Sequence, residues 1–275
     1  MVKDNKLRIV ILYTGSTGFP LGDAYTNRIL SIAKGLIMSG CEAELWIIYP
    51  GKKTGVLSKT GIIDSVPYRY LTVKQTSRKP IIKKLIGFYG VLVAVMKILF
   101  QTRQIDAIIS FSESSLQNSP VGFFSRIRRI LFIREINEYP KQVLKKGING
   151  LTDNENSRIK KSLRYFTGLI CISNSLKTYF EQFHQFSKPV LVVPITVDID
   201  RFNNISGSVP ENYITYCGNL FGDKDGVDIL IKAFAKISRK YSNYKLQLIG
   251  NINDDMGFLQ LKKFITETKL TDRII

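Results

Sequence analysis

The stretch Leu7–Gly40, LRIVILYTGSTGFPLGDAYTNRILSIAKGLIMSG, decides the fold. Leu7–Tyr13 is an apolar run, as expected of a parallel strand covered on both faces. The loop TGSTGFPLGD follows, punctuated by Gly15, Gly18, Pro20 and Gly22. From Ala24 to Ser39, the residues Ile29, Ile32, Ala33, Leu36 and Ile37 fall on one helical stripe, closed by Gly40 as the C′ residue. Leu45–Tyr49 reads as the next strand. A strand, a crossover helix and a second strand within about fifty residues predict a parallel sheet with right-handed connections.

The alternation continues outward. The Lys-, Ser- and Thr-rich region 51–79 carries no clear element, and Ile81–Phe100 reads as a helix with an apolar body and a basic start. Ala107–Phe111 predicts a strand ending in the polar turn Ser112–Ser115. Ile130–Ile133 predicts another, followed directly by Arg134, Glu135 and the loop Asn137–Pro140. Thr152 and Glu155 have capping-box spacing and start a helix expected to run to Phe166. Gly168–Ile172 is a strand, Ser173 caps the helix Asn174–Phe183, and Val190–Val193 completes the first sheet. Polar, Gly and Pro residues concentrate in Asn203–Asn212, which reads as a linker between a domain over 1–205 and a second over 206–275. There the pattern restarts: strand Tyr213–Cys217, a glycine-punctuated loop Gly218–Gly226, helix Val227–Ser238, strand Lys245–Ile249 and helix Phe258–Thr268. The expected fold class is α/β, with two Rossmann-like parallel-sheet domains, the second incomplete at Ile275.

With 275 residues, 44% hydrophobic and 23% charged, the composition is that of a folded protein. Cys41, Cys171 and Cys217 lie far apart within apolar runs, with no CxxC pair and a single histidine, His184, beside two phenylalanines. Zinc and a disulfide framework are excluded on that spacing, leaving buried, reduced cysteines in a cytosolic protein. The N-terminus lacks the pattern of a signal peptide, and the longest apolar stretch, Leu85–Phe100, is interrupted by Lys97. The net charge of +18 is unevenly placed. Residues 1–190 hold 29 Lys+Arg against 12 Asp+Glu, and residues 191–275 hold 11 against 10. Between Lys52 and Gln104 there are eleven Lys+Arg and one acid, Asp64. Such a field attracts an anionic partner: a phosphate-bearing substrate, an anionic membrane or nucleic acid. No recognition helix or RNP stretch accompanies it, which sets nucleic acid aside.

Candidate functional residues lie after strands, where open α/β sheets bind ligands. The loop Gly15–Asp23 joins a strand to a helix N-terminus and could cradle an anion, or simply connect the two. Loop Gly218–Gly226 has the same placement plus Lys224, which could hold a diphosphate by point charge or sit solvated on the surface. Glu113, Glu135 and Glu138 are candidate acid–base or hydroxyl-orienting groups, or helix-capping and salt-bridged glutamates. The basic apolar segment 79–103 reads equally as a helix lying on an anionic bilayer and as a core helix with a solvated basic end.

The stretches GFPLGDAYTNRILSIAKGL, REINEYP, ICISNSLKTYF, VVPITVDIDRF and YCGNLFGDKDGVDILIKAFAKI followed by LQLIG resemble, in their order and spacing, the retaining nucleotide-sugar-dependent glycosyltransferases of family 4, which have the GT-B fold. REINEYP looks most like the bacterial branch that builds capsular and exopolysaccharide repeats. The resemblance implies that 1–205 binds a glycan acceptor, lipid-linked in that branch's manner, and 206–275 the nucleotide-sugar donor. It implies that Gly15 and Gly22 lie under the donor diphosphate, that Gly218, Asn219 and Lys224 bind its phosphates, and that Lys224 neutralises the leaving group. Glu135 falls near the position of the family's acceptor-side polar residue; with the strand-end reading above, Glu135 and Glu138 are the candidate catalytic carboxylates and Asp23, Glu113 and Arg134 the acceptor-side residues. No metal or other cofactor is expected, and the implied location is cytoplasmic, peripheral at the inner face of the cell membrane. Asn219 departs from the family's phosphate-binding arginine, and the family's Glu-x7-Glu pair would fall beyond Ile275. On that basis the 275-residue chain is expected to be truncated and to transfer sugar poorly, or to act as a non-catalytic acceptor- or partner-binding remnant.

Overall fold

The computed structural model describes residues 6–14, 19, 24–50, 58–72, 79–101, 104–183, 186–199, 212–218, 220, 226–250 and 256–275. It divides into two compact units, residues 1–199 and 200–275.

In the first unit, β1 (Arg8–Tyr13) is central to an eight-stranded sheet. Its alternate residues feed two cores: Ile9, Ile11 and Tyr13 on one face, Val10 and Leu12 on the other. Two-sided burial is why the strand reads as an uninterrupted apolar run. Helix α1 (Ala24–Met38) covers the first face and ends at Gly40 as expected. Gly40 has φ 86°, its N–H bonds Ile37 O, and the Cys41 N–H bonds Leu36 O, the paired bonds of a Schellman motif. Strand β2 (Glu42–Ile47) then pairs parallel with β1.

Region 51–79, opaque in sequence, holds a hairpin of β3 (Thr60–Ile63) and β4 (Val66–Tyr70). Its two turn residues, Asp64 and Ser65, both have positive φ, the type I′ pattern that matches strand twist. Strand β4 joins β2 in parallel. Helix α2 (Pro80–Phe100) crosses to the far side of β1, where β5 (Ala107–Ser110) pairs. Helix α3 (Ser115–Ile127), which was not anticipated, leads to β6 (Leu131–Ile136). The short α4 (Lys141–Lys146) and α5 (Asp153–Ser162) follow, then β7 (Gly168–Cys171), α6 (Asn174–Thr178) with a π turn over Tyr179–Phe183, and β8 (Val190–Val192). The strand order is β3-β4-β2-β1-β5-β6-β7-β8, parallel except for β3. The order reverses at β1, so the switch point lies between β1 and β5.

The Thr152–Glu155 capping box and the Ser173 cap both form. Two boundaries differ from expectation. Helix α5 stops at Ser162, because the chain turns to stack Phe166 on Phe132 with centroids 4.5 Å apart. Strand β6 runs on through Arg134 and Glu135, which pair with Leu169 and Ile170 of β7 instead of following the strand.

Helix α2 has one buried face and one exposed apolar face. Ile86, Val91, Ala94, Val95 and Ile98 are buried in the core. Ile81, Leu85, Phe88, Leu92, Met96 and Phe100 form an exposed stripe along its length. Lys97 leans over the Trp46 ring at 5.8 Å. Among the described residues, no helix is long and apolar enough to cross a membrane.

In the second unit, β9 (Tyr213–Cys217) and β10 (Lys245–Ile249) pair in parallel, with α7 (Val227–Ile237) between them and α8 (Met256–Glu267) after. Ile274 forms a parallel bridge to Leu246. Val227, Ile231, Phe234, Leu246, Leu270 and Ile274 make the core. The expectation of three buried cysteines is corrected here: Cys171 is buried, Cys41 half-buried and Cys217 exposed, all free. Strand alternation places Ile214 and Tyr216 against this core and leaves Tyr213, Thr215 and Cys217 on the other face.

Candidate functional site

The carboxyl ends of β1, β5 and β6 carry a polar constellation. Tyr25, in the first turn of α1, donates its hydroxyl hydrogen to the carbonyl of Phe111, just past β5. Its ring lies 5.6 Å from Tyr13 and 5.7 Å from Phe111, which closes the switch point with aromatic rings. Burial, then the Glu135 charge, raises the Tyr25 phenol well above its ordinary value. Tyr25 is therefore a neutral hydroxyl at any physiological pH.

One turn further along α1, Arg28 reaches across to β6. Its Nε donates to Glu135 Oε1 at 2.7 Å, and its Nη1 and Nη2 donate to the carbonyls of Pro194 and Val193 at 2.7 and 2.8 Å. Asn137 Nδ2 donates to the other carboxylate oxygen at 2.9 Å. Lys34 pairs with Asp198 at 2.5 Å. Helix α1 thus clamps both β6 and the segment after β8. Burial pushes the Glu135 carboxyl up to about 7, against the opposing pull of Arg28, Arg134 and Asn137.

Arg134, the neighbour of Glu135 in β6, points to the opposite face by strand alternation. It pairs in register with Ser110, and its guanidinium lies 6.0 Å from the Phe166 ring. Burial lowers its pKa, and the strongest counter-influence is Glu113. Its Nε finds no hydrogen-bond partner among the described residues, nor do Asn137 Oδ1 and Thr196 Oγ1. Orphaned buried polar atoms are rare and mark places where water or a ligand completes the bonding.

The structure therefore brings Glu113, Arg134 and Glu135 to one sheet edge, Glu113 being exposed and Glu135 enclosed. Glu138 is exposed in the loop after β6. Sequence reasoning missed Tyr25, Arg28 and Asn137. The available signal was Arg28 itself, a cation set directly beside the apolar stripe at Ile29. Gly15, Gly22, Asp23, Asn219, Lys224 and His184 lie outside the described residues. Gly218 follows β9 in the second unit, and its N–H donates to Ile249 O at 2.9 Å within the sheet. Among the described residues, no group of three His, Cys, Asp or Glu is placed to hold a metal ion.

Solved structures share this architecture. Sucrose-phosphate synthase from Thermosynechococcus elongatus superposes with a TM-score of 0.63 at 14% identity, over 98% of this chain and 69% of that one. HepE of Anabaena in complex with UDP gives 0.63 at 16%, over 98% and 68%. The catalytic domain of starch synthase IV from Arabidopsis thaliana, bound to ADP and acarbose, gives 0.65 at 11%, over 98% and 73%. The fold is GT-B. No protein-family model and no curated protein matches the sequence significantly.

Proposed function

We propose that this chain is a retaining glycosyltransferase of the family 4 type, moving a sugar from a nucleotide-sugar donor to a lipid-linked glycan acceptor in cell-surface polysaccharide synthesis. The observation that carries this reading is a GT-B likeness over 98% of the chain to structures determined with UDP or with ADP bound. The sugar-transfer chemistry needs a cation where the diphosphate leaves, because negative charge grows there as the glycosidic bond breaks. Lys224 supplies it in this reading, with the loop glycines Gly15 and Gly22 allowing close backbone approach, and no metal takes part. Gly218 and Asn219 belong to the same donor-phosphate loop in this reading.

On the acceptor side, Arg134 Nε has no hydrogen-bond partner among the described residues, and Glu113 lies near it. Those two, with Asp23, would receive acceptor hydroxyls or its anionic carrier. Glu135 would act as a positioning residue, fixing α1 against β6 through Arg28, and Glu138, exposed in the loop after β6, would serve proton transfer.

The second half of the reading is a surface. The exposed apolar stripe of α2 begins beside Lys79, Lys83 and Lys84, the pattern of a helix lying in the interface of an anionic bilayer. That would hold the protein at the inner face of the cell membrane, where a lipid-linked acceptor is presented. Incubation of the protein with a panel of nucleotide sugars and a lipid-linked acceptor, followed by nucleotide release and product NMR, tests the proposal. Release of a nucleoside diphosphate with retained anomeric configuration supports it; failure of every donor to bind sinks it.

A further inference from the structure

The opposite edge of the first sheet carries a feature that sugar transfer does not use. Arg126, Arg129, Ile130, Leu131, Arg164, Tyr165, Thr167 and Lys188 line a cleft of about 440 Å³. Ile130 and Leu131 enter β6, Thr167 precedes β7 and Lys188 precedes β8, so the cleft opens at the amino ends of the strands. A second hollow of about 370 Å³ shares Arg129 and adds Arg128.

Four cations line the cleft, and none of the described residues in its wall is an acid. Among the described residues, none of the four makes a salt bridge. Two of them are held by other means. Arg164 lies over the Tyr165 ring at 4.4 Å, and Lys188 donates to the carbonyls of Phe166 and Arg164. Burial and the nearby Arg126 charge both lower the Lys188 pKa, so the like charges are felt.

A simpler reading is that these cations cap the C-terminal ends of α3 and α5. Each helix end carries only about half a negative charge, so two ends offset about one of four positive charges. The surplus suits an anion of two or more charges, and guanidinium forks match phosphate oxygens.

We propose that this cleft binds a phosphomonoester or diphosphate group, at the sheet edge opposite the expected donor site. It does not rest on the glycosyltransferase reading. The test uses inorganic pyrophosphate as probe, by calorimetry at low salt, in a Lys224→Gln background so that the second unit's loop does not contribute. The double variant Arg126→Gln/Arg164→Gln should weaken pyrophosphate at least tenfold. Lys83→Gln/Lys84→Gln, at the far end of α2, should leave it unchanged. Arg129→Gly controls for misfolding, because Arg129 has φ 56° where glycine is favoured. It should keep or raise the Tm and still weaken binding. A second arm uses vesicles of phosphatidylcholine with phosphatidic acid or, at equal charge, phosphatidylglycerol. A preference for phosphatidic acid over phosphatidylglycerol that pyrophosphate abolishes and that the double variant lacks identifies a lipid headgroup, whatever sedimentation α2 sustains on both. Pyrophosphate binding lost in the double variant, with equal sedimentation on phosphatidic acid and phosphatidylglycerol before and after the change, identifies a soluble ligand. No pyrophosphate binding, or binding indifferent to the arginine variants, overturns the proposal.

Discussion

Arg28 Nε and Glu135 Oε1 stand 2.7 Å apart across 107 residues of chain, with side chains only 7% and 0% exposed. Desolvating two charges costs about what their attraction returns, so such a pair adds little net stability, whereas removing one partner strands the other. Arg28→Met should therefore destabilise the first unit by about 3–5 kcal/mol. Glu135→Gln should cost less, since the amide still bonds, and Arg28→Met/Glu135→Leu should recover part of the loss. Trp46, the only tryptophan, lies in β2, so its fluorescence during denaturant unfolding reports on this unit alone. Equal losses in the single and double variants would contradict the pairing.

The pH dependence of stability has two windows of opposite sign. Glu135 binds its proton more tightly when folded, at about 7 against an ordinary 4.5. Its contribution is thus complete below about pH 4.5 and is lost as pH rises through 7. Glu155 is held down to about 2, chiefly by the Lys146 hydrogen bond. Its contribution is present above 4.5 and lost as pH falls towards 2. Glu135→Gln should flatten the first slope only, and Glu155→Gln the second only, in unfolding midpoints measured from pH 2 to 8.

Membrane attachment should depend on the outer stripe of α2. Leu85, Phe88 and Leu92 are exposed, so changing all three to Ser should alter stability by no more than about 0.5 kcal/mol each. Inserted apolar side chains are worth about 1.5–3 kcal/mol apiece, so the triple variant should lose at least about two orders of magnitude in affinity for anionic vesicles. Co-sedimentation measures it, and unchanged binding would remove α2 from the interface.

The strand ends of the second unit meet at two glycines. A Cβ on Gly250 would lie 1.8 Å from the Gly218 carbonyl oxygen. Gly250→Ala should therefore push apart the ends of β9 and β10, at a cost of about 1–3 kcal/mol. Hydrogen exchange should speed up at the Gly218 amide, which bonds Ile249 O, and protection there equal to wild type would refute the clash.

Legibility in the sequence followed the range of the interactions. The Thr152–Glu155 box and the Gly40 cap were readable because each is completed within a few residues. The β3–β4 hairpin was not, because its turn residues are Asp64 and Ser65 instead of the Asn-Gly or Asp-Gly that advertises a type I′ turn. Glu135 was picked out as a polar residue near a strand end, but its partner was not. Arg28 lies in another element, and its place beside Ile29 on the apolar stripe hints at burial without saying which carboxylate it meets.

By itself the sequence determined the parallel βαβ alternation, the helix caps and the concentration of positive charge in residues 1–190, since periodicity, capping and net charge are local or additive properties. Tertiary structure alone decided which charges are buried and paired, which face of α2 stays exposed, and that Arg126, Arg129, Arg164 and Lys188 converge on one cleft. Those outcomes depend on strand order and helix crossover, which bring residues from distant segments to a common edge before their side chains can interact.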